Sequence, residues 1–456
     1  MSSYGDEEIL ITGVTWSSDG SQLLLQVQNR VQTWLDLVST DPKGNNPRVL
    51  FRDKTPAWID SPGDPVFLND GEFLWRSPRT GYSHIYRYNK NGKLIGAVTE
   101  GEWEVRSLKG VDPEKKHCYF TATRDNAIDM HAYRADLTSG EITAITNGKG
   151  SHAVDFSDDY SYFINSFSDV NQPSNYTLRK NDGEFVRRFS VSSDDRLNYI
   201  DIIDPEFLEV PSGNEQPMDA MLIKPANFDP AKKYPVLVFS YAGPQAPRVK
   251  NSFGGQWYLW HQMLAQQGYV IWMCDNQSAS YRSAKHVWPV HRNFAQAELA
   301  DIEKGLEHLK KNEWVDSDRI GVWGWSYGGY MTAYALTHSK SFKMGISGAP
   351  VTDWKNYDAI YTERYMGLPK DNPEGYKSTS VLNNKAKDLH GKLLLIHGTI
   401  VDNVHLNNTI QFVKELQYAG KQFELMLYPS NRHAVRDKKQ AAHLRKLMTE
   451  FVLKNL

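Results

Sequence analysis

The chain has 456 residues, 52 basic against 54 acidic side chains and a formal net charge of −2, so nothing electrostatic points to nucleic acid or an anionic membrane as a partner. Hydrophobic residues at 40% and aromatics at 12% supply a sizeable core and exclude wholesale disorder. No apolar stretch reaches the roughly 18 to 20 residues of a membrane span, the opening MSSYGDEEIL lacks the features of a signal peptide, and two distant cysteines, Cys118 and Cys274, exclude a disulfide framework or cysteine-rich metal site.

Residues 1–195 predict an all-β domain of propeller type. Trp16-Ser17-Ser18-Asp19-Gly20 precedes the strand SQLLLQVQ, Leu68-Asn69-Asp70-Gly71 precedes EFLWRS, and Phe156-Ser157-Asp158-Asp159 precedes YSYFINS. Each unit then offers an aromatic strand and a second turn, closed by Gly44, Gly92, Gly140 and Gly183, which stand 43 to 48 residues apart. That spacing is the length of one four-stranded blade. Asp-Gly and Asn-Gly supply the positive φ that tight hairpins require. The plainer alternative is a β-sandwich with coincidental turns. Propellers have about four to eight blades, so four units either close a small ring or belong to a larger one. On the second reading the chain is incomplete at its N-terminus.

Residues 196–456 change to strands alternating with helical stretches, which predicts a doubly wound, mostly parallel sheet of the α/β-hydrolase class. KKYPVLVFSYAGP, GYVIWMCDN, RIGVWGWS, KMGISGAP, GKLLLIHGT and FELMLYPS read as strands. Their continuous apolar runs suit strands covered on both faces. NFAQAELADIEKGLEHLKKN and the closing AAHLRKLMTEFVLKNL read as helices.

The strongest chemical signal is Gly324-Trp325-Ser326-Tyr327-Gly328-Gly329, a G-x-S-x-G element between the strand RIGVWGW and the helical YMTAYALTH. A nucleophilic serine needs such a strained strand-to-helix turn to expose its hydroxyl, and small neighbours let the backbone close up. The Tyr327 N–H and the positive end of the next helix would then face a developing oxyanion. A serine also needs a base, and this fold supplies acid and then histidine on later loops. His433 directly follows the last predicted strand. His397, inside the strand KLLLIH, and His405, at the start of a helix, are the rival bases. Asp402 is the only carboxylate on the loop Gly398–His405 and would orient the imidazole. Asp353, after KMGISGAPVTD, is the runner-up acid. No metal or cofactor motif is visible: there is no HExxH, and no G-x-G-x-x-G follows a strand.

Through GWSYGGY, YAGP, NYDAIYTERYMGLP, LLIHGT with DNVH, and the loop bearing His433, the chain resembles the prolyl oligopeptidase clan of serine peptidases, specifically the dipeptidyl peptidase IV family. These stretches span residues about 230 to 435. The WSSDG turn and blade-length repeats resemble that family's propeller. The resemblance implies a peptidase acting on peptide substrates, removing dipeptides or tripeptides from the N-terminus after Pro or Ala, and a homodimer formed through the hydrolase domain. It also implies that Tyr241 of YAGP donates its hydroxyl to the oxyanion beside the Tyr327 N–H. Val351, Trp354, Tyr361, Tyr365 and Val404 would form a small pocket for a proline ring, and Asn403 would hold the substrate carbonyl.

Three stretches depart from the family pattern. Val401 stands where the family carries the acid, with Asp402 one residue later, so the site holds either a shifted triad or a Ser-His dyad. Ala434 replaces the glycine usual after the base. Asp275-Asn276-Gln277-Ser278-Ala279-Ser280 replaces a D-x-R-G-S-G loop. The glutamate pair with which relatives read a free amino terminus also has no equivalent, since Glu7-Glu8 lie in an edge-strand context. Beside a serine peptidase using Ser326, His433 and Asp402, two other readings therefore stand: a catalytically impaired relative that binds peptides or proteins, and a broad esterase.

Overall fold

The structure, a computed structural model, describes residues 4–191, 197, 201–383 and 385–456. The chain packs as two compact units. The first covers 1–199 with Lys250–Phe253 and Tyr281–Trp288, and the second covers 200–249, Gly254–Ser280 and Pro289–Leu456. The expected division at 195/196 lies outside the described residues. Two short excursions from the second half of the chain pack with the first unit: Asn251 donates its N–H to the Ile128 carbonyl at 3.0 Å, and Lys285 to that of Gly81 at 3.0 Å.

The first unit consists of four separate four-stranded antiparallel sheets in chain order, propeller-like blades rather than a sandwich. They run from Ile9–Trp16 to Arg48–Lys54, from Val66–Phe67 to Leu94–Ala97, from Val105–Val111 to Ile142–Ala144, and from Ser151–Phe156 to Phe185–Val191. The closing glycines Gly44, Gly92, Gly140 and Gly183 all take positive φ, between 76° and 94°. The opening turns of the first and fourth sheets are built alike. Asp19 accepts from the Ser17 hydroxyl at 2.6 Å and the Ser21 N–H at 3.0 Å, and Asp159 accepts from the Ser157 hydroxyl at 2.7 Å and the Ser161 N–H at 3.1 Å. These donors hold both carboxyls down at about 2. Tyr160 takes a φ of 55° in the place where the first blade has Gly20. The apolar cores lie between consecutive sheets. Leu35, Leu37, Phe73 and Trp75 join the first to the second, and Leu74, Ile85, Cys118 and Phe120 join the second to the third.

The second unit is built on one eight-stranded sheet: β1 (Glu206–Val210), β2 (Met218–Ile223), β3 (Tyr234–Phe239), β4 (Val270–Cys274), β5 (Val315–Trp325), β6 (Met344–Gly348), β7 (Lys392–Gly398) and β8 (Glu424–Tyr428). Its order is β1-β2-β4-β3-β5-β6-β7-β8, with β2 antiparallel to both neighbours and every pair from β4 onward parallel. This is the α/β-hydrolase sheet. Between or after the strands run α1 (Gly255–Gln266), α2 (Gln296–Leu309), α3 (Tyr327–His338), α4 (Ala359–Met366), α5 (Pro373–Ser378), α6 (Asn407–Tyr418) and α7 (Lys438–Asn455). β2, β4 and β6 are buried along their whole length, as strands covered on both faces are, and β4 (VIWMC) is a continuous apolar run. Among the described residues no helix is long and apolar enough to cross a membrane.

Candidate active site

Ser326 sits between β5 and α3 with φ 62° and ψ −119°. A non-glycine residue rarely adopts such a backbone, and it persists only where the surroundings over-determine it. The surroundings here are main chain. The Ser326 N–H donates to the Gly348 carbonyl at 2.8 Å, and the Ser326 carbonyl accepts from the Tyr330 N–H at 3.0 Å. A Cβ on Gly324 or Gly328 would collide with the Ser240 carbonyl, and one on Gly329 with the Gly348 carbonyl. The glycines of the motif are thus explained by close backbone approach. The Tyr327 N–H opens α3, where the first amides have no partner within the helix.

His433 lies on the loop after β8. Its carbonyl accepts from the Trp325 indole at 2.7 Å, which ties the loop to the residue before the nucleophile. Ser326 and His433 line one cavity of about 420 Å³, together with Tyr241, Trp325, Arg248 and Arg445. Burial lowers the pKa of His433 from the ordinary 6.5, and the charge of Asp402 opposes the shift. The imidazole Nδ1 is buried and has no hydrogen-bond partner among the described residues.

The expected contact from Asp402 to the imidazole is not made. Asp402 is exposed and its Oδ2 accepts from Arg432 Nη1 at 2.6 Å. On this turn Val401 is inward, 5% exposed, whereas Asp402 is exposed. The loops themselves are pressed together: Ile400 donates its N–H to the Asn431 carbonyl at 3.1 Å, and a Cβ on Gly398 would collide with the Asn431 and Arg432 carbonyls. The rival residues have other partners. His397 is buried, with Nδ1 2.7 Å from the Thr409 hydroxyl and Nε2 2.9 Å from the Val404 carbonyl. His405 is exposed, and Asp353 accepts from the Lys355 N–H at 2.9 Å.

Tyr241 is half-buried at the end of β3, its ring 6.2 Å from that of Tyr327. The altered loop after β4 remains tied to this strand end. The Asp275 carboxylate accepts from the Arg248 and Val249 N–H groups at 2.8 Å, and the Ser278 carbonyl accepts from the Gln245 N–H at 2.8 Å. Gln277, standing where the family has arginine, instead donates its N–H to Asp301 at 3.0 Å.

Trp354, Tyr361 and Tyr365 form an aromatic cluster: Trp354 stacks on Tyr361 at 6.0 Å, and Tyr361 meets Tyr365 at 4.8 Å. Val351, Trp354, Tyr365 and Val404 are buried, Tyr361 is half-buried, and Asn403 is exposed. None of these six lines the cavity that holds Ser326 and His433. The link between the two is Tyr327, whose ring lies 5.4 Å from Trp354. Two residues absent from the expectations complete the cluster. Phe294 packs 4.6 Å from Trp354 and 5.4 Å from Tyr327. Glu298 of α2 is wholly buried and accepts from the Tyr327 hydroxyl at 2.8 Å. Burial drives its pKa up to about 7. Neither lies in a motif: Glu298 falls on the buried face of α2, and Phe294 precedes that helix. No group of three or more metal-ligating side chains occurs among the described residues.

The chain is similar to known proteins. The model of the prolyl oligopeptidase family matches residues 257–456, and that of the dipeptidyl peptidase IV N-terminal region matches residues 1–174. Dipeptidyl peptidase 8 of Homo sapiens is 31% identical, over 95% of this chain and 53% of its own length. Dipeptidyl peptidase 4 of Trichophyton equinum is 33% identical, over 92% of this chain and 56% of its own. The crystal structure of Porphyromonas gingivalis dipeptidyl peptidase 4 superposes with a TM-score of 0.93 at 30% identity, covering 98% of this chain and 64% of that one. The chain therefore spans about half the length of the curated relatives it matches.

Proposed function

Because the chain belongs to the dipeptidyl peptidase IV family of the prolyl oligopeptidase clan, we propose that it is a serine peptidase that releases dipeptides or tripeptides from peptide substrates after Pro or Ala. Residues 1–195 would form the propeller part and 196–456 the peptidase domain, with a homodimer through the latter. The single observation that carries this reading is the strained serine at the head of α3 sharing one cavity with His433. Ser326 Oγ attacks the scissile carbonyl as His433 takes its proton. The Tyr327 N–H and the Tyr241 hydroxyl receive the oxyanion, and the imidazolium then protonates the departing amine. Trp354, Tyr361 and Tyr365, with Val351 and Val404, hold the proline or alanine side chain, and Asn403 the preceding carbonyl. Incubation with a fluorophosphonate probe tests it: Ser326 of the folded chain becomes labelled, and its failure to label removes the proposal.

One observation favours a second reading, a catalytically impaired peptide-binding relative. Among the described residues His433 Nδ1 has no acceptor, Val401 fills the acid's position, and Asp402 pairs with Arg432. The acid is therefore assigned a reduced role, with Asp402 acting on the imidazole only through its charge. Turnover of an Ala-Pro chromogenic amide that vanishes in Ser326→Ala separates the two readings.

A further inference from the structure

The cavity holding Ser326 and His433 also presents two arginines, Arg248 and Arg445. Their guanidinium carbons lie 4.2 Å over the ring of Tyr241 and 3.4 Å over that of Trp257. Among the described residues neither guanidinium has a carboxylate partner, for the Asp275 carboxylate takes backbone N–H groups instead. Stacking occupies the face of a guanidinium and leaves its edge donors free, in the fork that matches a carboxylate. Burial brings Arg445 down to about 10 from 12.5, with no acidic group opposing. A cation desolvated without a counter-charge is a cost that an incoming anion relieves.

The cavity also has a direction. Trp354, Tyr361 and Tyr365, assigned above to the acyl side chain, do not line it, whereas His433, which must protonate the departing amine, does. We propose that this cavity receives the released part of the substrate and binds a carboxylate there through Arg445 and Arg248. The substrate class is then a peptide carrying, close beyond the scissile bond, either an acidic side chain or a free C-terminus. The inference deepens the peptidase reading and rests on it for which fragment enters.

The test uses the full chain carrying Ser326→Ala, which binds without turnover, titrated calorimetrically with four peptides. These are Ala-Pro-Ala-Ala as free acid and as amide, and Ala-Pro-Asp-Ala and Ala-Pro-Lys-Ala as amides. A charged hydrogen bond to a carboxylate corresponds to about tenfold or more in affinity, so at least one of the free acid and the Asp amide binds about tenfold tighter than the neutral and Lys amides. Comparing those two tells a terminal carboxylate from a side-chain one, and either supports the proposal. Adding Arg445→Met with Arg248→Gln brings all four within about twofold. Equal affinities, no binding of any peptide, or a preference that survives loss of both arginines overturns it. Should the arginine variants not fold, the ranking in Ser326→Ala alone decides. Fluorophosphonate labelling of the unaltered chain keeps the two ideas apart. Labelling without charge preference sinks the carboxylate site alone, and charge-selective binding without labelling sinks the peptidase reading while the anion site stands.

Discussion

Val401→Asp should turn His433 from an unpartnered imidazole into a hydrogen-bonded one. The ring nitrogen Nδ1 is buried with no acceptor among the described residues, and the loop bearing Val401 is pressed against the loop bearing the base. When His433 takes the serine proton it becomes an imidazolium whose Nδ1–H is unsatisfied, a deficit of about 1–3 kcal/mol. At about 1.36 kcal/mol per factor of ten, that corresponds to roughly 5- to 150-fold in rate. The ceiling is higher, since replacing a positioned triad aspartate lowers kcat about 10⁴-fold in serine peptidases. The assay is kcat on an Ala-Pro chromogenic amide between pH 5 and 9, with thermal melts alongside. The variant should gain at least about fivefold. Its pH profile should move as well. Activity requires neutral His433, and burial lowers its pKa below 6.5, so the rising limb of the unaltered chain lies on the acid side of that value. A carboxylate at Nδ1 raises the pKa and carries the limb upward. A folded Val401→Asp with unchanged rate and unchanged limb would refute the reasoning. Loss of stability without a gain in rate would do so too, since a carboxylate buried there unpaired is costly by several kcal/mol.

Asp402→Asn should lower kcat by less than about tenfold, far below the loss for a positioned acid, and should shift the rising limb to lower pH because the charge that raises the His433 pKa is gone. A loss of several hundredfold in steady-state assays would restore Asp402 as the orienting residue. Tyr241→Phe should reduce kcat by about 10²- to 10³-fold with little change in KM, the size of one lost oxyanion donor; an unchanged kcat removes the tyrosine from that role. Gly329→Ala should destabilise the chain by about 1–3 kcal/mol in denaturant melts, because its Cβ collides with the Gly348 carbonyl. Glu298 is protonated in the folded chain up to about 7, against 4.5 ordinarily. The folded state therefore holds the proton longer, and its stability falls as pH rises from 4.5 to 7 and levels above. Glu298→Gln should abolish that fall, worth roughly 3 kcal/mol, when melts at pH 5 and pH 8 are compared.

The elements with local signatures were legible in the chain itself. The four blades follow from turn residues whose positive φ glycine meets without strain, and the elbow from glycines that main-chain approach demands. His433 follows from its place after the last strand. Asp402 shows the limit: Val401 is buried and Asp402 exposed, and this one-residue difference, which places the carboxylate against Arg432, is set by the turn and not by the motif. Phe294, Glu298, Trp257 and Arg445 were not legible as site residues, because helices and connections far apart in sequence bring them together and none sits in a motif. The excursions at 250–253 and 281–288 were missed for the same reason.

The indole-to-carbonyl bond from Trp325 fixes the main chain of His433 beside the elbow, while Nδ1 of its ring accepts or donates no hydrogen bond among the described residues. On the proposed mechanism, alignment of the base then rests on packing, without the carboxylate bond that sets tautomer and orientation in a complete triad. Proximity and orientation are thus supplied by different parts of the site, and only the first is anchored by a hydrogen bond.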